Sequence, residues 1–336
     1  GTARPTHCAG PLPVGTAVPG GAPYPEDSPL FPAGSSVPGG TLDELEIITM
    51  AEDSVLYESP YLGQHGIALL ARARSGSTTL NVLMDVGQDP DALLVNFSRM
   101  GIRPSELDAI VITHCHYDHT QGLARIVAAT GKIGLPVIVY PDLFRPNFVT
   151  EPAFRDIGVQ PADSEEEITI AGGKVYKSSI PFLLMPGLFT TGQVPRRTAY
   201  EEAGISGLST IENGRVVPDP MDDDISLVAV VGGHDPVILT GCSHAGIVNL
   251  ARHVVDLNGA HGFENIIGGF HLIAAADGRI ARTVDDLAGF RIHHLTPGHC
   301  TGFRAQAAML SRFGDAFEPL HTGMRFSITA VRAIQR

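Results

Sequence analysis

The amino-acid sequence predicts an α/β fold in which sheets and helices pack in layers. Short apolar runs rich in β-branched residues alternate along the chain with stretches whose apolar residues recur at helical spacing. The chain has 336 residues, of which 43% are hydrophobic and 18% charged, and this is enough to bury a large core. The alternation and the size together favour one enzyme-sized layered domain.

The predicted strands are apolar runs that end at glycine, proline or a polar residue. They cover residues 42–56, 66–72, 80–85, 109–113, 136–140, 225–231, 236–240, 264–267 and 291–295. The predicted helices are stretches with apolar residues three or four positions apart. They cover residues 89–100, 120–130 and 247–257. Thr120 is the expected N-cap of the second helix.

Residues 1–40 differ in composition from the rest of the chain. They are crowded with Pro and Gly and show no periodicity, so an N-terminal arm is expected before a folded domain at residues 41–336. The arm can wrap the domain, cover a neighbouring subunit, roof a binding site or form a poorly ordered tail. Within the domain, Pro- and Gly-rich stretches predict an irregular insertion around residues 141–225, of the kind that carries substrate specificity.

A cluster of metal-binding residue types follows the predicted strand at 109–113. His114, His116, Asp118 and His119 form the pattern H-x-H-x-D-H in a strand-to-helix loop. So many costly polar groups are rarely gathered for packing alone. Imidazole nitrogen and carboxylate oxygen suit a borderline transition metal such as zinc or iron better than calcium or magnesium. The pattern therefore predicts a metal site.

Further motifs, taken together with this one, resemble a known family. They are Gln64-His65-Gly66, Leu83-Met84-Asp85-Val86-Gly87-Gln88, Thr191-Gly192-Gln193-Val194-Pro195-Arg196, Asp219-Pro220-Met221-Asp222-Asp223, Leu239-Thr240-Gly241-Cys242-Ser243-His244-Ala245-Gly246, Gly268-Gly269-Phe270-His271-Leu272 and Pro297-Gly298-His299-Cys300-Thr301-Gly302. The sequence resembles the metallo-β-lactamase superfamily over about residues 42–330, within a branch that includes metal-dependent hydrolases and a dihydropterin synthase. The resemblance implies an αββα sandwich with one or two metals at one edge of its facing sheets.

The resemblance also implies roles for residues at other strand ends. His299 matches the final metal ligand of the superfamily, and Asp85 matches an aspartate that holds the metal loop without binding metal. Cys242 stands where most members place a bridging aspartate, and their additional ligand histidine has no counterpart upstream of it. We expect His244, in a loop that opens a helix, to supply the missing imidazole.

Two metal ions are the expected cofactor, with zinc first and manganese or iron also compatible. The six expected ligands form two triads, which are His114, His116 and His244 for one ion and Asp118, His119 and His299 for the other. A water molecule between the ions, with its pKa lowered to about 7, would attack the substrate.

Two residues beside these triads have alternative interpretations. Cys242 is either a metal-binding thiolate or a buried thiol, and the buried thiol is favoured. In that case Asp118 is the carboxylate expected to reach both ions. His271 is a ligand, a general acid or a substrate contact, and acid or substrate contact ranks first because each ion already has three ligands. Asp118 or His271 would protonate the leaving group, and His65 is the next histidine expected to join the site.

Other polar residues are candidates for substrate contact. Arg196 and Arg197 follow a Gly-Gln-Val-Pro turn and are predicted to bind a substrate carboxylate or phosphate, with a solvated arginine pair as an equal alternative. The three aspartates at residues 222–224 are either ligands or a polar entry to the following strand, and the polar entry is favoured.

Charge and composition indicate which classes of binding partner are compatible with the sequence. The net charge is −13, with three lysines and no basic run, which disfavours nucleic acid. No apolar run reaches the roughly 18 residues expected of a membrane span. A small-molecule substrate is therefore expected, and a homodimer is compatible with the sequence. Cytoplasmic localisation is favoured, although a cleaved leader is also compatible with a chain that starts without Met.

Three functions are compatible with these observations. The first is a metal-dependent hydrolase acting on an ester, lactone or phosphoester-type bond of a small molecule. The second is a transferase that condenses a pterin methyl diphosphate with an aminobenzene ribose phosphate, which the resemblance alone supports. The third is an iron-dependent redox protein on the same fold.

Overall fold

The computed structural model describes residues 40–202 and 205–331 of the chain. The predicted N-terminal arm at residues 1–40 lies outside the described residues, apart from Gly40. Among the described residues, no helix combines the length and hydrophobicity needed to cross a bilayer.

The first sheet has seven strands and contains most of the strands predicted in the first half of the chain. Its strands are β1 (Glu44–Ala51), β2 (Ala68–Ser75), β3 (Thr78–Met84), β4 (Ala109–Val111), β5 (Leu135–Val139), β8 (Gly173–Lys177) and β17 (Arg325–Thr329). They lie in the order β17-β1-β2-β3-β4-β5-β8. The half from β3 to β8 is parallel, whereas β17, β1, β2 and β3 pair antiparallel.

The second sheet has six strands and faces the first. Its strands are β9 (Leu183–Met185), β10 (Leu188–Thr190), β13 (Leu227–Ala229), β14 (Val237–Thr240), β15 (Gly262–Gly269) and β16 (Arg291–Gly298). They lie in the order β16-β15-β14-β13-β10-β9, with β14, β15 and β16 parallel to one another. A separate sheet of four short strands contains β6 (Phe148–Val149), β7 (Arg155–Asp156), β11 (Leu208–Glu212) and β12 (Arg215–Pro218).

Helices cover the outer face of each large sheet. They are α1 (Pro90–Arg99), α2 (Tyr117–Thr120), α3 (Leu123–Thr130), α4 (Glu165–Ile170), α5 (Ile247–Asn258), α6 (Asp277–Leu287) and α7 (Phe303–Phe313). One buried apolar cluster packs α1, α3 and α4 on the first sheet, and another packs α5, α6 and α7 on the second. A third lies between the two sheets. The αββα sandwich that the resemblance implies is thus present.

The period-two alternation of side chains on a strand explains how both faces are filled. In β14, Val237 and Leu239 enter the cluster between the sheets, and Ile238 enters the cluster under the helices. In β3, Met84 faces the other sheet and Leu83 faces the helices. Strands buried on both faces read as continuous apolar runs, which is why the sequence shows them as runs without polar alternation.

Three expectations differ from the observed elements. Strand β1 ends at Ala51, and residues 53–62 form a loop. The helix predicted at 120–130 begins only at Leu123, because Thr120 ends α2 and its hydroxyl donates to the carbonyl of His116 at 3.0 Å. Residues 141–225, expected to be irregular, supply strands to all three sheets.

Candidate metal centre

The candidate ligands lie in loops at the carboxyl ends of strands, where the two large sheets meet. Asp85 follows β3, the H-x-H-x-D-H segment follows β4, Cys242 and His244 follow β14, His271 follows β15 and His299 follows β16. Parallel strands bring their carboxyl ends to one edge of a sheet, and this is where open α/β sheets place their ligands. Motifs that are far apart in the sequence therefore lie close together at this edge.

The backbone turns sharply at four of these strand ends. Asp85, Ser243, His271 and His299 have φ angles of 58°, 56°, 41° and 49°, in the left-handed region. For residues other than glycine such a conformation costs roughly 1–3 kcal/mol, and it persists where the surroundings determine it. Gly241 also brings two loops together, since a Cβ there would lie 2.2 Å from Thr113 Oγ1.

One group of candidate ligands, the mixed half-site, consists of Asp118, His119, Cys242 and His299. His119 Nε2 lies 3.1 Å from Cys242 Sγ and 3.6 Å from Asp118 Oδ2. His299 Nε2 lies 3.2 Å from Asp118 Oδ2. All four side chains are buried. Burial alone would raise the pKa of the Asp118 carboxyl, but His119 and His299 hold it well below its usual range.

The second group, the histidine half-site, consists of His114, His116 and His244. His114 Nε2 lies 3.1 Å from His116 Nδ1, and the ring of His244 lies 4.8 Å and 4.7 Å from the rings of His114 and His116. Burial lowers the pKa of His114 well below its usual value and lowers the pKa of His116 to about 3. Both imidazoles are therefore neutral at pH 7, the form that binds metal.

Cys242 connects the two half-sites. Its sulfur belongs to the mixed half-site and also to a group with His244 and His271, whose donor atoms all lie within 4.8 Å of one another. Burial raises the pKa of the Cys242 thiol well above its usual value in the absence of a cation. A coordinated cation deprotonates a thiol, so this burial does not prevent ligation. Cys242 is thus buried, as favoured from the sequence, and its sulfur lies 3.1 Å from His119 Nε2, so both interpretations stay open.

The residues present fit a pair of transition-metal ions. Tetrahedral sites with bonds of 2.0–2.3 Å have ligand-to-ligand separations of about 3.3–3.7 Å. The separations of 3.1, 3.2 and 3.6 Å within the half-sites are close to these values. Nδ1 of His271 is buried and has no hydrogen-bond partner in the described part of the chain, a costly arrangement that a cation would relieve.

Carboxylates hold the outer nitrogens of the mixed half-site. Asp85 Oδ2 lies 2.7 Å from His119 Nδ1, and Asp85 also accepts from the backbone N–H and hydroxyl of Thr113. Asp85 therefore lies where the sequence analysis expects it, behind a ligand. Asp53 Oδ2 lies 2.7 Å from His299 Nδ1. The sequence analysis did not identify Asp53, because it placed this residue inside a strand predicted over residues 42–56, whereas β1 ends at Ala51.

Backbone hydrogen bonds hold the loops of the histidine half-site. Asp223 accepts from the N–H of Cys115 at 2.8 Å, and Asp224 accepts from the N–H of Ala245 at 2.6 Å. Arg145 donates to Asp223 Oδ1 at 2.8 Å. The sequence analysis favoured a polar entry to the following strand for residues 222–224. In the structure, Asp223 and Asp224 are buried and accept hydrogen bonds from the backbone of the two loops that carry His114, His116 and His244.

The two arginines predicted to bind substrate already have protein partners. Arg196 donates to the carbonyl of His244 at 2.7 Å and to that of Pro220 at 2.6 Å. Arg197 pairs with Asp256 on α5. Arg196 therefore stabilises a ligand loop, and the structure does not bring the two guanidinium groups together as a clamp.

His65 joins the rim of the site. Its Nδ1 lies 3.0 Å from Asp53 Oδ1 and its Nε2 lies 3.4 Å from Asp118 Oδ2. Half of its side chain is exposed. The hydrogen bond with Asp53 raises the pKa of His65. His65 thus connects a buried ligand to solvent.

Comparison with known proteins shows the family. The model of the metallo-β-lactamase superfamily matches residues 76–242. A protein of Methanocaldococcus jannaschii, named 7,8-dihydropterin-6-methyl-4-(β-D-ribofuranosyl)-aminobenzene-5′-phosphate synthase, is 36% identical over 286 residues, which cover 84% of this chain and 97% of that protein. An uncharacterized protein of the same organism is 29% identical over 259 residues, which cover 77% of this chain and 92% of that protein.

Solved structures share the fold. A metal-dependent hydrolase of the β-lactamase superfamily has a TM-score of 0.71 at 23% identity, covering 85% of this chain and 99% of that one. Zinc-bound PqqB from Methylobacterium extorquens has a TM-score of 0.51 at 12% identity, covering 84% of this chain and 99% of that one. Because the superfamily model matches residues 76–242 and the relative of 36% identity covers 84% of this chain, the chain belongs to the metallo-β-lactamase superfamily.

Proposed function

We propose that the protein is a metal-dependent hydrolase that acts on an ester, lactone or phosphoester-type bond of a small molecule. The observation that supports this proposal is that Cys242 belongs both to a group with Asp118, His119 and His299 and to a group with His244 and His271, as expected for two neighbouring metal ions. His114, His116 and His244 would hold one ion, and Asp118, His119 and His299 would hold the other. Zinc is the first choice, since imidazole, carboxylate and thiolate donors all suit it.

The residues of the site have separate tasks in this reaction. When bound, the two metals supply Lewis acidity and lower the pKa of water to about 7. Asp85 and Asp53 orient the imidazoles of His119 and His299, each through an outer nitrogen at 2.7 Å. Asp118 is buried, yet its Oδ2 lies 3.4 Å from the half-exposed His65. A proton taken up by Asp118 can therefore leave through His65 to solvent.

Removal of one ligand from each half-site tests the hydrolase proposal. We expect His116→Ala and His299→Ala each to lower bound metal by about one ion per chain and to abolish hydrolysis of ester, lactone and phosphodiester substrates. The matched control is His294→Ala, because His294 is exposed and stacks on Phe326 away from the ligands. Metal content and rates that match the control would contradict the proposal.

A second candidate, the transferase, is favoured by one observation. The methanogen relative of 36% identity is named as a synthase, and the match covers 97% of its length. The metals would then hold a diphosphate leaving group while an aminobenzene ribose phosphate attacks the pterin methyl carbon. Against it, the two arginines expected to bind anions are engaged elsewhere, by His244 and Asp256.

Pyrophosphate release separates the two candidates. The metal-loaded protein is incubated with a pterin methyl diphosphate, with and without the aminobenzene ribose phosphate. A hydrolase of this bond releases pyrophosphate without the second substrate, whereas the transferase releases it only when both are present. Colour and metal analysis of the purified protein test the iron-dependent redox alternative, which requires iron and a coloured protein.

A further inference from the structure

His271 is the one histidine of the site that the two triads leave without a task. It follows β15, and its ring centroid lies 4.2 Å from that of His244. One of its ring nitrogens lies within 4.8 Å of the donor atoms of both Cys242 and His244. His271 therefore lies beside one member of each half-site, Cys242 of the mixed half-site and His244 of the histidine half-site.

The state of the ring also points to a missing partner. Nδ1 of His271 is buried and accepts or donates no hydrogen bond among the described residues. Leaving a buried polar atom unsatisfied costs roughly 1–3 kcal/mol. A buried nitrogen beside the donor atoms of Cys242 and His244 is the arrangement that a metal ligand needs.

The backbone around His271 holds the ring in this position. The φ angle of His271 is 41°, a left-handed conformation that is rare for a residue with a side chain. Its N–H donates to Cys300 Sγ at 3.2 Å, and the following Leu272 N–H donates to the carbonyl of Cys300 at 3.1 Å. Cys300 directly follows the ligand His299, so the loops carrying His271 and His299 are tied together.

We propose that His271 is a further metal ligand, acting beside Cys242 and His244. This inference rests on the proposed function only for the presence of two metals. The site then offers eight donor side chains for two ions, which are His114, His116, Asp118, His119, Cys242, His244, His271 and His299. Soft and borderline donors of this kind favour zinc, iron or cobalt over magnesium and calcium.

Metal binding tests the proposal without depending on activity. Metal-free wild type, His271→Gln and the control His294→Gln are titrated with Co²⁺, and the visible absorption and the dissociation constants are measured. We expect two Co²⁺ per chain in wild type and control, and at least tenfold weaker binding of one ion, with an altered spectrum, in His271→Gln. Unchanged constants and an unchanged spectrum would overturn the proposal and return His271 to the role of acid or substrate contact.

A second measurement uses the wild-type protein and so does not depend on correct folding of the variant. In wild type labelled with ¹⁵N at histidine and loaded with Zn²⁺, a ligating His271 ring has one metal-bound nitrogen and does not titrate between pH 5 and 8. A ring that titrates in this range shows that His271 is not a ligand. Two tightly bound ions without hydrolysis of any substrate would instead contradict the proposed function and leave the ligand assignment in place.

Discussion

The two halves of the metal centre are held in place by different means. In the mixed half-site, carboxylates contact the rings themselves, Asp85 at His119 and Asp53 at His299, both at 2.7 Å. In the histidine half-site, Asp223 and Asp224 contact the backbone beside the ligands. Carboxylates therefore fix the orientation and tautomer of two rings in the mixed half-site, whereas in the histidine half-site the carboxylates fix the path of the loops.

The difference also appears in the charges of the supporting acids. The pKa of Asp53 is lowered, because the effect of its hydrogen bonds with His299 and His65 is larger than the opposing effect of burial. Burial raises the pKa of Asp224 to about 7. At pH 7 the Asp53 carboxyl is therefore ionised, whereas the Asp224 carboxyl is about half protonated.

Replacing a histidine of the site should have the largest effect on the free energy of unfolding, and the effect should differ between the two half-sites. His119→Ala leaves the buried Asp85 carboxylate without its imidazole, so we expect a loss of about 3–5 kcal/mol in the free energy of unfolding. His116→Ala removes a ring whose Nε2 is buried without a partner, and should cost less. Denaturant unfolding of the metal-free variants measures both free energies of unfolding. Equal losses in His119→Ala and His116→Ala would contradict the proposed difference between the two half-sites.

The buried Asp224 should make stability depend on pH. Its pKa rises from 3.8 to about 7 on folding, so the folded state binds the proton more tightly than the unfolded state. Wild type therefore loses stability as pH rises from about 4 to about 7, by at most about 4 kcal/mol at roughly 1.4 kcal/mol per pKa unit. Asp224→Asn cannot ionise, and its stability relative to wild type should rise over this range.

Chemical unfolding of the metal-free proteins at pH 4, 5.5 and 8 measures this effect. Asp222→Asn is the control, because Asp222 lies in the same loop and is only partly buried. A difference between Asp224→Asn and wild type that stays constant with pH would show that Asp224 remains charged in the fold.

Replacing an outer carboxylate should weaken metal binding by a smaller factor. Asp85→Asn should lower the affinity of the mixed half-site by about 10–100-fold, the usual range for such partners. Asp53 is more exposed, so Asp53→Asn should have the weaker effect. Asp223→Asn keeps an oxygen that can accept from Cys115, and its effect should be smaller than that of Asp85→Asn. Competition with a metal-binding dye ranks the three variants.

The smallest effect is expected at Arg197. Its exposed ion pair with Asp256 should contribute less than about 1 kcal/mol to stability. Arg197→Ala should therefore leave both metal content and KM unchanged. A large rise in KM would restore Arg197 to the substrate-binding role predicted from the sequence.

Local patterns predicted much of the site. The H-x-H-x-D-H segment is a local signal, and the histidines at 244, 271 and 299 each lie in a short Gly-containing motif at a strand end. Helix α6 was missed although Ile280, Val284 and Leu287 recur at helical spacing and are buried. Its many polar residues obscured the pattern.

Other features follow from strand order, which no local pattern contains. Asp223 supports Cys115 from 108 positions away, and Asp53 reaches His299 from 246. The candidate ligands and their approximate positions at strand ends can be identified from local sequence, because metal-binding side chains and strand periodicity are properties of short segments. The partners that orient them depend on which distant strands lie side by side, since hydrogen bonds and burial arise only when those segments pack together.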